Sequence, residues 1–98
     1  FHNAKRRAEK KGLIFSITLE DVKKKFPKNN ICPITKKPFK YGKENRHNNP
    51  TIDRIDNKKG YTFYNIVIVS FIANQVKGDL NDFSIFKQIA DFYGNKKL

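Results

Sequence analysis

Residues 50 to 80, PTIDRIDNKKGYTFYNIVIVSFIANQVKGDL, carry the clearest structural signals of the chain. Isoleucines flank the polar pair Asp53-Arg54, and the segment NKKG that follows has the composition of a turn. The β-branched run IVIV at 66 to 69 has no polar break, which is typical of a strand covered on both faces. Ser70 can then cap a helix. The stretch therefore predicts two strands followed by a helix.

The predicted helix after Ser70 has two different faces. Its apolar stripe consists of Ile72, Ala73, Val76 and Leu80. Asn74 and Lys77 are spaced i and i+3, so they share a second face. We expect this second face to look across at the first strand, which ends near Asp53.

The polar residues of this stretch have a distinctive spacing: Asp53-Arg54 ends one strand, Asn65 opens the next, and Asn74 and Lys77 follow on the helix. This spacing resembles the strand-strand-helix metal motif of HNH (His-Me finger) endonucleases. Within this superfamily the sequence most resembles the phage-type branch related to recombination endonuclease VII, in which AKxRAxxKG, CPxxxxPx, DRID, KGY and ANxxKxD recur. The resemblance covers nearly the whole chain. It implies an α+β fold, a small single domain with a central ββα-metal motif flanked by helices.

The resemblance also implies a metal centre. Asp53 and Asn74 are then the ligands of a divalent cation, Mg²⁺ or Mn²⁺, and Asn65 braces the loop between the strands by side-chain hydrogen bonds. Such a cation prefers oxygen ligands and neutralises charge that grows on the leaving oxygen during phosphodiester hydrolysis. The plainer alternatives are a strand-end turn carboxylate for Asp53, a surface helix residue for Asn74 and an ordinary turn residue for Asn65.

Arg54 departs from the pattern, because most HNH enzymes carry a histidine there as the general base. An arginine side chain stays protonated in proteins and cannot take a proton from water in the ordinary way, although it can hold a phosphate. The remaining candidates for the base are His47, Asp56, or water activated by the metal with no side-chain base. His47 can equally be an exposed loop histidine.

The chain is strongly basic, with 21 Lys and Arg against 9 Asp and Glu and a net charge of +12. Such a surface attracts polyanions, because neutralising phosphates releases condensed counterions. Nucleic acid is therefore the first partner to consider. The candidate backbone-binding residues are Lys77 on the predicted helix and, in the N-terminal segment, Lys5, Arg6, Arg7, Lys10 and Lys11. These lysines and arginines can alternatively be solvated surface residues.

The length of 98 residues and a hydrophobic content of 38% predict one small domain with a single core. The expected segments are a basic helical segment 1 to 27, a hairpin and loop 28 to 50, the metal motif 51 to 80, and a C-terminal helix 82 to 94.

Local signals subdivide these segments. Gly12 should end a basic helix over residues 1 to 11. Thr18 and Asp21 form a potential capping box for a second helix, about residues 19 to 26. Residues 31 to 33 and 38 to 41 can pair as a short hairpin, although its strands are weakly signalled. Asp82 or Ser84 can cap the last helix, and Gly94 should end it.

Cys32 is the only cysteine, so the chain can form no internal disulfide and no four-cysteine zinc site. We expect no structural zinc and a Cys32 that packs as a small buried hydrophobe. No stretch of the sequence approaches a membrane span or a secretory signal. The expected location is intracellular, in a bacterial or phage-infected host cytoplasm, without a membrane partner.

The sequence as a whole favours a metal-dependent DNA endonuclease of the HNH superfamily that acts on duplex or branched DNA. One alternative is a DNA-binding domain that kept the fold and the charge but lost catalysis when the base position became Arg54. A weaker alternative is a small basic RNA-binding protein.

Overall fold

The structure is a computed structural model, which describes residues 1–78 and 84–94. It is a small α+β arrangement with a two-stranded antiparallel sheet. Two short 3₁₀ helices, Lys43–Asn48 and Phe63–Asn65, precede the two strands. The main elements are α1 (His2–Lys11), α2 (Leu19–Lys25), β1 (Pro50–Arg54), β2 (Ile66–Ser70), α3 (Phe71–Lys77) and α4 (Ser84–Gly94).

Helix α1 presents a narrow apolar face to the core and a basic face to solvent. Ala4 and Ala8 are buried, one helical turn apart, whereas the lysines and arginines between them are exposed. Gly12 ends the helix in the left-handed conformation, with φ of 66°, and the cap backbone N–H groups donate to the carbonyls of Ala8 and Glu9. The predicted helix stop is confirmed.

Helix α2 begins with the predicted capping box. The Thr18 hydroxyl accepts from the backbone N–H of Asp21, and the Asp21 carboxylate accepts from the backbone N–H of Thr18. Phe26 was expected inside this helix, but it adopts an extended conformation with ψ of 129°. The reason is Pro27, because a proline ring disfavours the helical conformation of the residue before it.

The predicted hairpin in residues 28 to 50 is reduced to one antiparallel bridge, between Ile31 and Pro38. Two hydrogen bonds close it: the N–H of Cys32 donates to Lys37 O at 2.9 Å and that of Phe39 donates to Asn30 O at 2.9 Å. The pairing stops there because proline has no N–H to continue a ladder.

Cys32 attaches this turn to the end of the sheet. Its side chain is fully buried, and its sulfur accepts hydrogen bonds from the backbone N–H groups of Ser70, at 3.3 Å, and Thr35, at 3.5 Å. Burial raises the pKa of the Cys32 thiol, but these hydrogen bonds outweigh it and lower the pKa to about 7. Cys32 is thus a buried packing residue, as expected.

Strands β1 and β2 pair with Ile52 opposite Ile68 and Asp53 opposite Val67. Ile52 and Ile68 are both buried on one face of the sheet. Asp53 and Val67 lie on the other face, because side chains alternate along a strand. Helix α3 covers that second face and begins at Ser70, whose hydroxyl accepts from the N–H of Ala73.

The loop between the strands packs against the segment that links α1 and α2. The N–H of Tyr61 donates to Ile14 O at 2.8 Å, and the N–H of Ser16 donates to Tyr61 O at 3.0 Å. The two segments approach so closely that a Cβ atom added at Gly60 would lie 2.4 Å from Ile14 O. This contact explains why glycine precedes tyrosine in the KGY segment.

Helix α4 matches the predicted C-terminal helix over Ser84–Gly94. Its apolar residues Ile85, Ile89, Phe92 and Tyr93 are largely exposed. Two residues of the sequence prediction, Leu80 in the α3 stripe and Asp82 as a possible cap, lie outside the described residues. In the ranges 1–78 and 84–94, no helix is long and apolar enough to cross a membrane.

We expect Gly60→Ala to lower the free energy of unfolding by about 1–3 kcal/mol, since the new methyl group must push the backbone of residue 14 away. Urea denaturation followed by circular dichroism measures the loss. Gly94→Ala is the matched control, because a Cβ there meets nothing within 4 Å, and it should change stability by less than about 0.5 kcal/mol. Equal stability of the two variants would contradict the close approach.

Candidate functional site

A cleft of about 330 Å³ lies between α1, β1 and α3. Asp53 reaches it from β1 and Asn74 from α3, so the two predicted metal ligands line the same cavity. Two basic residues of α1, Arg7 and Lys11, line it as well. The sheet pairing and the start of α3 at Ser70 bring these residues together, although they are distant in sequence.

The Asp53 carboxylate is paired with Lys77. Its Oδ2 atom lies 2.9 Å from the Lys77 ammonium, and the two side chains are only 11% and 12% exposed. The same ammonium donates to the backbone carbonyl of Arg54 and, at 3.1 Å, to Asn57 Oδ1. In this structure the Lys77 ammonium lies against Asp53, and the expected contact of Lys77 with phosphate stays a prediction.

Asn74 is oriented by a hydrogen-bond chain that starts on β2. The Thr51 hydroxyl donates to Val69 O at 2.9 Å and accepts from Asn74 Nδ2 at 3.3 Å. Because Nδ2 makes this bond, the amide oxygen is directed away from Thr51. Threonine at 51 lies two residues before Asp53, on the same face of β1.

The donor set fits a hard divalent cation. Asp53 contributes a carboxylate and Asn74 an amide oxygen, and the cleft has room for phosphate oxygens and water beside them. Within the part of the chain that the structure describes, no three His, Cys, Asp or Glu side chains gather as a metal cluster. A cation held here would therefore depend on this pair and on ligands from outside the protein.

Asn65 connects the two ends of the loop between the strands. Its Oδ1 accepts from the N–H of Asp56 at 2.9 Å, and its Nδ2 donates to the carbonyls of Asp56, at 3.1 Å, and Gly60, at 2.8 Å. All these partners are backbone groups, and Asn65 is 8% exposed. This is the bonding that a loop brace requires.

Arg54 lies on the face of β1 opposite to that of Asp53, and its side chain points into the loop that Asn65 braces. It is 7% exposed. Its Nη1 donates to the carbonyls of Asn57 and Lys59, and its guanidinium lies 5.5 Å from the centroid of the Tyr61 ring. Arg54 thus satisfies loop carbonyls with its charge, and its contact with phosphate stays a prediction.

The two candidate bases do not line the cleft. His47 is exposed on the 3₁₀ helix Lys43–Asn48. Asp56 is half-buried in the loop, where its Oδ1 accepts from the N–H of Lys58 at 2.9 Å. This bond is typical of a turn carboxylate. A role of either residue in catalysis stays a prediction.

The basic strip of α1 is divided between two environments. Arg7 bonds inward, to the Tyr61 hydroxyl and to Ile52 O, each at 3.4 Å, and so ties α1 to the sheet. Lys5, Arg6 and Lys10 are exposed. Since Arg7 and Lys11 line the cleft, the exposed strip continues into the cavity that holds Asp53.

Three residues near the site were not predicted from the sequence. Thr51 orients Asn74, Asn57 accepts from Lys77, and Tyr61 contacts both Arg7 and the Arg54 guanidinium. The role of Thr51 could have been predicted from its position two residues before Asp53, which places both side chains on the same face of the strand. The roles of Asn57 and Tyr61 depend on the folded path of the loop.

We expect Arg54→Ala to lower the free energy of unfolding by on the order of 2–4 kcal/mol, because two loop carbonyls lose their charged donor. Arg54→Lys should restore part of the loss, since lysine offers a point charge in place of a planar fork. Urea denaturation tests both, with the exposed Arg6→Ala as control. If Arg54→Ala kept full stability and lost only DNA binding, the residue would be a phosphate ligand and not a brace.

Comparisons of this chain with models of known protein families, with characterised proteins and with solved structures find no match.

Proposed function

We propose that this chain is a metal-dependent DNA endonuclease of the HNH superfamily, in which β1, β2 and α3 form the ββα-metal motif. The observation that carries the proposal is the position of Asp53 and Asn74. They come from the strand and the helix that the motif assigns to the metal ligands, and they line one cleft beside a basic helix.

Asp53 and Asn74 would hold Mg²⁺ or Mn²⁺, which would neutralise charge on the phosphate under attack. The protein contributes the orientation of both ligands. Thr51 fixes the rotation of the Asn74 amide, and the pairing of β1 with β2 fixes Asp53 at the end of its strand. Asn65 and Arg54 keep the following loop in one conformation through its backbone groups.

The DNA backbone would lie along the exposed side of α1. Lys5, Arg6 and Lys10 contact successive phosphates in this arrangement, while Arg7 and Lys11 direct one phosphate into the cleft. Such contacts position the duplex without reading its sequence. The group that takes the proton from water has two side-chain candidates, His47 and Asp56, beside the alternative that no side-chain base is needed.

A DNA-binding domain without catalysis is the second candidate. One observation favours it: the Lys77 ammonium already neutralises Asp53, and both side chains are nearly buried. The basic face of α1 would serve this function equally well. Cleavage assays separate the two candidates, because only the nuclease depends on Asp53 and a divalent cation.

We expect Asp53→Asn and Asn74→Ala each to reduce DNA cleavage by a factor of at least about 10² while DNA binding survives, since phosphate contacts are separate from metal ligation. The assay offers supercoiled, linear and branched DNA with Mg²⁺, with Mn²⁺ and with a chelator. Asp91→Asn is the matched control, because this exposed carboxylate lies on α4, where it pairs with Lys87. Full cleavage by Asp53→Asn would refute the proposed metal site.

We also expect binding to duplex DNA to weaken steeply as salt rises. In Arg6→Gln/Lys10→Gln, the slope of log affinity against log salt should fall by about 2, since two phosphate contacts are lost. Lys24→Gln/Lys28→Gln carries the same net charge but changes residues outside α1. Fluorescence anisotropy with one duplex measures both slopes. If the two double variants behaved alike, net charge and not the α1 face would account for the affinity.

A further inference from the structure

The Lys77 ammonium lies among oxygen atoms from three residues. They are the Asp53 carboxylate Oδ2 at 2.9 Å, the Asn57 side-chain Oδ1 at 3.1 Å and the backbone carbonyl of Arg54. One carboxylate, one amide oxygen and one backbone carbonyl are the ligand types that hard cations use in proteins. The Lys77 ammonium thus lies where a metal ion would find a suitable set of oxygen ligands.

The position of the ammonium matters because its carboxylate partner is a proposed metal ligand. Asp53 and Lys77 are 11% and 12% exposed, so water screens their attraction only weakly. A divalent cation that coordinates Asp53 beside a bound ammonium would place two positive centres within a few ångströms of one carboxylate. Their mutual repulsion in this poorly solvated place makes joint occupancy unfavourable.

We propose that Lys77 is a built-in competitor of the divalent cation: its ammonium and the metal exclude each other at the Asp53 carboxylate. This inference rests on the proposed function. The contact of the Lys77 ammonium with Asp53 joins α3 to β1. Binding of the metal moves the ammonium away from Asp53, which the flexible four-carbon lysine side chain permits by a change of its own torsion angles.

The competition predicts that removing the ammonium strengthens metal binding. Lys77→Met keeps the length of the side chain and deletes the charge, so its affinity for Mn²⁺ should exceed that of the wild type at least about tenfold. Isothermal titration calorimetry with Mn²⁺ and no DNA measures this directly, and the readout is independent of cleavage. Lys87→Met, which deletes an exposed ammonium paired with Asp91, is the matched control and should leave Mn²⁺ affinity unchanged.

Two further variants keep the test decisive. Asn57→Ala removes one acceptor of the ammonium and leaves both charges in place, so it should strengthen Mn²⁺ binding by a smaller factor, about two- to fivefold. Asn57→Ala replaces Lys77→Met as the test of the competition if circular dichroism shows that Lys77→Met does not fold. The double variant Asp53→Asn/Lys77→Met should lose the gain, because the extra affinity depends on the freed carboxylate.

The outcomes separate this inference from the proposed function. If the wild type binds Mn²⁺ and cleaves DNA, but Lys77→Met and Asn57→Ala bind Mn²⁺ no more tightly, the competition is overturned and the nuclease proposal stands. If neither the wild type nor the variants bind Mn²⁺ and no DNA is cleaved, both are overturned. Tighter binding in Lys77→Met that persists in the double variant would also overturn the competition, because the gain would not involve Asp53.

Discussion

The nearly buried ion pair between Asp53 and Lys77 is the interaction on which the arrangement of the site depends. It joins β1 to the last turn of α3, a helix of only seven residues. A helix this short has little stability of its own and needs tertiary contacts. Removing one partner of such a pair leaves the other charge buried and unpaired. This lowers the free energy of unfolding far more than breaking an exposed pair does. The pair therefore holds the last turn of α3 against β1, while Ser70 at the start of the helix and the hydrogen bond from Asn74 to Thr51 fix the rest of it.

The loop between β1 and β2 depends on a second group of polar contacts. Asn65 and Arg54 both use side chains to satisfy backbone groups of this loop. Among the described residues, no buried side-chain nitrogen or oxygen lacks a partner. The loop can thus adopt one conformation, because its backbone groups have partners within the protein and do not need water. The close approach at Gly60 then fixes the loop against the segment before α2.

Much of the secondary structure could be predicted because its causes are local. Gly12 ends α1, the Thr18 capping box starts α2 and Ser70 starts α3, and each of these effects acts within one turn of helix. The inward bonding of Arg54 and the pairing of Lys77 with Asp53 could not be predicted in the same way. Both depend on how the sheet faces are covered, which spacing along the chain does not determine. The hairpin fell short of its prediction because prolines limited its hydrogen bonds.

The distribution of positive charge also differs from what composition suggests. Arg54 and Lys77 are nearly buried and bond to oxygens of the protein, so they contribute less to the outer surface than two solvated cations would. The lysines and arginines of α1 do contribute to the outer surface, because only the alanines of that helix are buried. A buried cation serves the fold and an exposed one attracts phosphate. Lys77 combines the two roles, since its nearly buried ammonium pairs with Asp53, a residue that lines the cleft bordered by α1.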